Sequence, residues 1–174
     1  MDIVLTLSLI LQSFAISLGV GSSTLAIVNF FAAIKDGTID ATERRMMGIV
    51  YVVLRVAMVL ILLSTISVTA YAAQSAGGLL SLNSFAYAVL LTLLMLFLNA
   101  MLMTAKLMPS TFGPAIQGGS WYTLGALFAL QAVHFTTFSF TVFLLCYVTW
   151  LILAVSIVNG IMAWMNAHRH GFIK

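Results

Sequence analysis

The chain has 174 residues, of which 63% are hydrophobic and 6% charged, with a net charge of +3. Soluble domains carry about a quarter of their residues as Asp, Glu, Lys or Arg, so this composition excludes an ordinary water-soluble domain and predicts an all-α, polytopic integral membrane protein. The small cationic excess matches anionic lipid head groups; membrane lipid is the expected partner, and nucleic acid is not. One cysteine, Cys146, within an apolar run excludes an internal disulfide.

The charged side chains stand in short clusters between long silent spans. Those spans read as continuous Leu, Val, Ile, Met, Phe and Ala, without the alternation of barrel strands. A crossing takes about 20 residues at about 1.5 Å each. The pattern therefore predicts a single domain, a bundle of five transmembrane helices over residues 4–34, 46–72, 84–107, 119–134 and 139–166.

The first span begins after Asp2, where a signal peptide has a basic region, and reads as a retained helix. As one straight helix, residues 3–34 would be roughly 48 Å long, more than the hydrocarbon thickness of about 30 Å. In its middle stands SLGVGSSTLAIVNFF, residues 17–31. Gly19 and Gly21 are candidate positions for a break, with Ser22, Ser23 and Thr24 able to satisfy freed carbonyls. Two readings follow: a close-packing face with a mild kink, or a broken helix lining a substrate site.

The second span carries Arg55, ten positions after Arg45, so its Cα lies roughly 15 Å into the membrane. A guanidinium at that depth costs at least about 2.5 to 3.5 kcal/mol and requires acceptors inside the protein or a watered cavity. No embedded carboxylate exists to pair with it, leaving neutral acceptors, a bound anion or another subunit. Asn29, Asn99 and Asn159 precede Lys35, Lys106 and Arg169 by similar distances and fall at comparable depth in the inner half. These amides either tie helices together at about 1 kcal/mol or less per contact, or form a polar site with Arg55, Ser22, Ser23 and Thr24.

The loop after the first helix holds Lys35, Arg44 and Arg45, the loop after the third begins at Lys106, and the tail holds Arg169 and Lys174. The remaining two loops, AAQSAGGLLSLNS and HFTTFS, lack Lys and Arg. Basic loops stay cytoplasmic, so the N-terminus is expected outside and the C-terminus inside. Gln12, Gln131 and His134 form a second polar set near the outer face; His134 reads as an interfacial hydrogen-bonding group, and His168 and His170 as solvated or lipid-facing tail residues. Trp121, Trp150, Trp164 and most tyrosines read as interfacial anchors. No metal spacing, paired carboxylate, activated nucleophile or phosphate loop is present. Neither a cofactor nor an enzymatic activity is expected.

The segments GSSTLAIVNFFAAI and ERRMMGIVYVVLRVAM, within about residues 17–60, resemble the opening of the lysine-exporter/tellurite-resistance (TerC-like) membrane superfamily. In that superfamily a polar first-helix motif precedes a basic loop and a second helix bearing a glycine and then an arginine. The resemblance implies movement of ions or small solutes. Where many related cation carriers have a first-helix acid, this chain has Ser22, Ser23 and Asn29, which points to a neutral or anionic solute facing Arg55. The expected function is a small transporter or channel-like carrier in a bacterial inner membrane, working as a homo-oligomer. The alternative is a non-catalytic accessory subunit of a larger membrane complex.

Overall fold

The computed structural model describes residues 3–35, 40–109 and 111–171, without the side chains of residues 33–35, 166 and 168–171. The expectations for the His168 and His170 side chains therefore lie outside the described residues. Among those described, the chain is all-α: α1 (Ile3–Lys35), α2 (Ala41–Ala76), α3 (Ser84–Thr104), α4 (Phe112–Ala132) and α5 (Phe140–Gly171), with a 3-10 turn at Leu79–Ser81 between α2 and α3. Four helices, α1, α2, α3 and α5, are long and apolar enough to cross a membrane.

Two helix starts differ from the sequence expectation, each for a local reason. α2 begins at Ala41, not at 46, because Asp40 and Glu43 form a reciprocal capping box. The Glu43 N–H donates to Asp40 Oδ1 at 2.6 Å, and the Asp40 N–H donates to Glu43 Oε2 at 3.0 Å; two amides that the helix leaves without carbonyl partners are thereby satisfied. α4 begins at Phe112, not at 119. Pro114 falls in its first turn, where an absent N–H removes no helical bond.

The helix ends are equally specific. α2 stops at Gly77, in the left-handed region at φ 82°. Lys106 and His134 occupy that region at φ 57° and 58°, and the next residue in each case bonds back across the last turn, Leu107 N–H to Leu102 O and Phe135 N–H to Leu130 O, both at 2.9 Å. These are Schellman closures made without glycine. His134 thus sits, exposed, at the turn between α4 and α5.

Sequential helices run antiparallel. The Gln12 amide reaches Thr65 Oγ1 at 3.3 Å between the start of α1 and the later half of α2. The Asn99 amide reaches Gln117 Oε1 at 2.9 Å between the end of α3 and the first half of α4. Ser120 and Tyr147 share a 2.8 Å hydroxyl contact between α4 and α5.

At 33, 36 and 32 residues, α1, α2 and α5 would measure roughly 50, 54 and 48 Å. Such helices must tilt or project beyond about 30 Å of hydrocarbon. α3 and α4, at 21 residues, are roughly 32 Å long and match it.

α4 is the packing centre. It touches α1, α3 and α5 and buries Gly113, Ala115, Gln117, Gly118, Gly119, Ser120 and Trp121 in its first half. Trp121, expected as an interfacial anchor, is fully buried at 0% exposure and joins Ala15, Ile16, Ala57, Ile61 and Leu96 in the core. Because α4 starts earlier than expected, this tryptophan lies near its middle. The Trp121 ring occupies the space that a side chain on Gly19 would fill. α1 runs unbroken through Gly19 and Gly21; of the two readings of this stretch the close-packing face is the one that agrees, since Gly19 admits a neighbouring ring.

Gly19→Leu is expected to lower stability by about 3 kcal/mol or more through overpacking, whereas Gly21→Ala, with no neighbour within 4 Å of its added carbon, should be neutral or gain about 0.5 to 1 kcal/mol. Thermal unfolding of the two purified variants in one detergent checks the contrast, and equal shifts would contradict the packing.

Candidate functional site

Four helices, with Val158 of α5 as a fifth contributor, surround a cavity of about 340 Å³. α1 contributes Ser23, Ala26, Ile27 and Phe30, and α2 contributes Tyr51, Leu54, Arg55 and Met58. Both sets follow the i, i+3, i+4, i+7 spacing of a single helical stripe. α3 adds Ala100, Met103 and Thr104; the start of α4 adds Pro114, Ala115, Gln117 and Gly118. The cavity therefore lies toward the end of the bundle where α1 and α3 finish and α2 and α4 begin.

Arg55 lines this cavity and is exposed in the isolated chain. No described residue hydrogen-bonds or ion-pairs with it, and among the described residues no Asp or Glu lines the cavity. Its height in the bundle follows from the Gln12–Thr65 contact. Arg55 lies ten residues back along α2 from Thr65, and Ser22 lies ten residues on along antiparallel α1 from Gln12. Arg55 is thus level with Ser22 and Ser23.

Ser23 is unlike the other helical hydroxyls around it. Ser13, Thr24, Thr92 and Thr104 each donate to the carbonyl four residues back at 2.8 to 3.0 Å, the usual local resolution for a hydroxyl in a helix. Ser23 Oγ is buried, lines the cavity and has no hydrogen-bond partner. Leaving a buried hydroxyl in that state costs about 1 to 3 kcal/mol.

Gln117 and Asn99 supply the third polar element. Asn99 is 2% exposed; its amide donates to Gly113 O and to Gln117 Oε1, both at 2.9 Å. The second bond takes up the acceptor end of Gln117. The Gln117 Nε2 group is left with a weak contact to Met58 Sδ at 3.7 Å. Asn99 Oδ1 itself is buried without a partner.

The remaining candidates lie elsewhere. Ser22 is buried but off the cavity wall. Thr24 is exposed and contacts Tyr122 OH at 2.8 Å on another face of α1. Asn159 donates to Val155 O within α5 at 3.0 Å, and Asn29 is half-buried outside the cavity lining. Of the proposed polar set, Arg55 and Ser23 share the cavity, and Asn99 reaches it through Gln117. Gln12 and Gln131 border a separate small pocket of about 10 Å³.

Gln117 was missed because its segment reads as a loop when Pro109 and Pro114 are both taken as helix breakers. Pro114 as a first-turn residue is the signal that would have found it. Among the described residues, no group of three or more His, Cys, Asp or Glu side chains has an arrangement able to hold a metal ion.

Fold and site define an all-α, multi-helix protein of membrane type with a cationic cavity. No protein-family model matches the chain, and no curated protein or solved structure is significantly similar to it.

Asn99→Leu and Gln117→Leu should each destabilise, and the double variant should lose less than their sum. The expected coupling is about 0.5 to 1.5 kcal/mol, the range for polar contacts between helices in lipid. A double-mutant cycle on unfolding measures it; strict additivity would show that the 2.9 Å contact contributes nothing.

Proposed function

We propose that this chain is a five-crossing carrier for a small neutral or anionic solute, with α4 as the fifth crossing, the N-terminus outside and the C-terminus inside a bacterial inner membrane. The reading rests on one observation: the Arg55 guanidinium lines a cavity where, among the described residues, no carboxylate neutralises it. In lipid such a charge is tolerated where water or a counter-ion reaches it. A cavity of about 340 Å³ is within the range of about 300 to 1,000 Å³ for small-molecule sites.

Orientation is supported by charge. Lys35, Arg44, Arg45 and Lys106 cluster at the end of the bundle where the cavity lies, whereas residues 77–83 and 133–139 carry no Lys or Arg. By the positive-inside rule the cavity opens to the cytoplasm. The length of α4 and its enclosure by α1, α3 and α5 support a crossing shielded from lipid, which explains how it tolerates Gln117, Ser120 and Gln131. The likeness of residues 17–60 to the lysine-exporter/tellurite-resistance superfamily agrees with solute movement. Five helices enclose little space alone, so the working form is a homo-oligomer.

The exposure of Arg55 in the isolated chain suits a second reading, an accessory subunit whose Arg55 face docks on a partner. Gentle solubilisation followed by native mass measurement separates the two: a homo-oligomer favours the carrier, and a stoichiometric foreign chain the subunit. Reconstituted in liposomes, the wild type should move at least one member of a panel of chloride, phosphate and short monocarboxylates. Arg55→Ala should reduce that flux at least tenfold while inserting to the same level. Equal flux in the two would remove Arg55 from the pathway.

A further inference from the structure

We infer that the cavity accepts an amphipathic organic anion, a single carboxylate-type head on a short apolar body; this rests on the carrier reading above and narrows its substrate class. Arg55 presents guanidinium N–H groups that no described residue accepts. Ser23 presents a buried hydroxyl without a partner. Gln117 has its acceptor oxygen occupied by Asn99, and its Nε2 group meets only a thioether at 3.7 Å. All three have hydrogens to donate, and no carboxylate among the described wall residues competes for them.

A site with free donors and one uncompensated positive charge selects an acceptor-rich, negative head. Ser23 and Arg55 stand at the same height in the bundle, and Met58, one turn on from Arg55, touches Gln117. The head therefore has a defined place.

The rest of the wall is of the opposite character. Ile27, Phe30, Phe31, Leu54, Met58 and Met103 line it with hydrocarbon, aromatic rings and thioethers. A fully hydrated inorganic ion gains nothing from such a surface, whereas each methylene placed against it tightens binding about fourfold. Met58 and Met103 are flexible enough to accommodate bodies of different shape. Head and wall together favour an organic anion over chloride or phosphate.

The test uses the full chain in lipid nanodiscs, with empty nanodiscs as the blank for partitioning. Binding of acetate, hexanoate, inorganic phosphate and 1-hexanol is measured to the wild type, to Arg55→Gln, to Arg55→Lys and to Ser23→Ala. Hexanoate is expected to bind at least tenfold tighter than acetate or phosphate. Arg55→Gln should weaken hexanoate at least tenfold and leave hexanol unchanged, with partial recovery in Arg55→Lys. Ser23→Ala, which removes an unpartnered hydroxyl and should fold at least as well as the wild type, should weaken hexanoate several-fold. Helical content by circular dichroism and elution as one species must match across the variants; if Arg55→Gln fails that check, Ser23→Ala and Arg55→Lys decide.

Acetate or phosphate binding as tightly as hexanoate, with the same loss in Arg55→Gln, would overturn the amphipathic ligand and leave the anion carrier standing. Hexanol equalling hexanoate would overturn the role of the charged head. Absence of any Arg55-dependent binding would remove both the inference and the carrier reading. Competition by oleate separates two sources of one chemistry: displacement of hexanoate by oleate supports the site and assigns its ligand to the bilayer pool, and hexanoate binding undisturbed by oleate supports the site with a ligand from the cytoplasm.

Discussion

Trp121 seated against the bare backbone of Gly19 is the contact on which the rest of the bundle depends. Between helices in lipid there is little hydrophobic driving force, because the tails outside are as apolar as the side chains inside. Association then relies on dispersion at close range, and small residues let backbones approach. Gly19 provides that approach on α1. Gly118 and Gly119 provide it on α4: a carbon added to Gly118 would lie 3.1 Å from Ile27, and one added to Gly119 would lie 3.0 Å from Leu151. With α4 wedged between α1 and α5 and tied to α3 through Asn99, the cavity walls have a fixed frame.

That frame explains why polar groups concentrate where they do. α4 presents Gln117 and Ser120 toward neighbours, and each finds a partner there, Asn99 in one case and Tyr147 in the other. The Trp150 indole donates to the Gly119 carbonyl at 3.0 Å. Trp121 Nε1 has no partner, so the packing of its ring outweighs one unsatisfied N–H. Across the interior, most polar atoms are paired; the cavity is where the balance changes, with Arg55, Ser23 and one end of Gln117 left open on a wall otherwise apolar. Of these, the Ser23 hydroxyl is buried without a partner, at a cost of about 1 to 3 kcal/mol.

Much of the helical plan was legible in the sequence because composition alone sets the solvent. Long silent spans have few stable forms when backbone groups cannot turn to water, and polar clusters mark where the chain turns. The turn at residues 133–139 fell where His134 and its neighbours broke the apolar run. Two local signals were present and went unread: Asp40 three positions before Glu43, the sign of a capping box, and Pro114 as an opening residue of α4. Missing the second placed Trp121 at a helix end and Gln117 in a loop.

Sequence by itself determined the all-α class, the rarity of charge, the isolation of Arg55 from any embedded acid, and the small-residue character of residues 19–24. Tertiary structure decided which small residues matter and which polar residues meet. Gly19 and Gly21 are equivalent in a string of letters; one faces Trp121 and the other faces open space. Ser22, Ser23 and Thr24 differ by about 100° of helical rotation per residue, and that rotation puts Ser23 on the cavity, leaves Ser22 buried beside it and turns Thr24 toward Tyr122. Facing is a property of packed helices, set by which neighbour approaches from which side, and no spacing within a single span contains it.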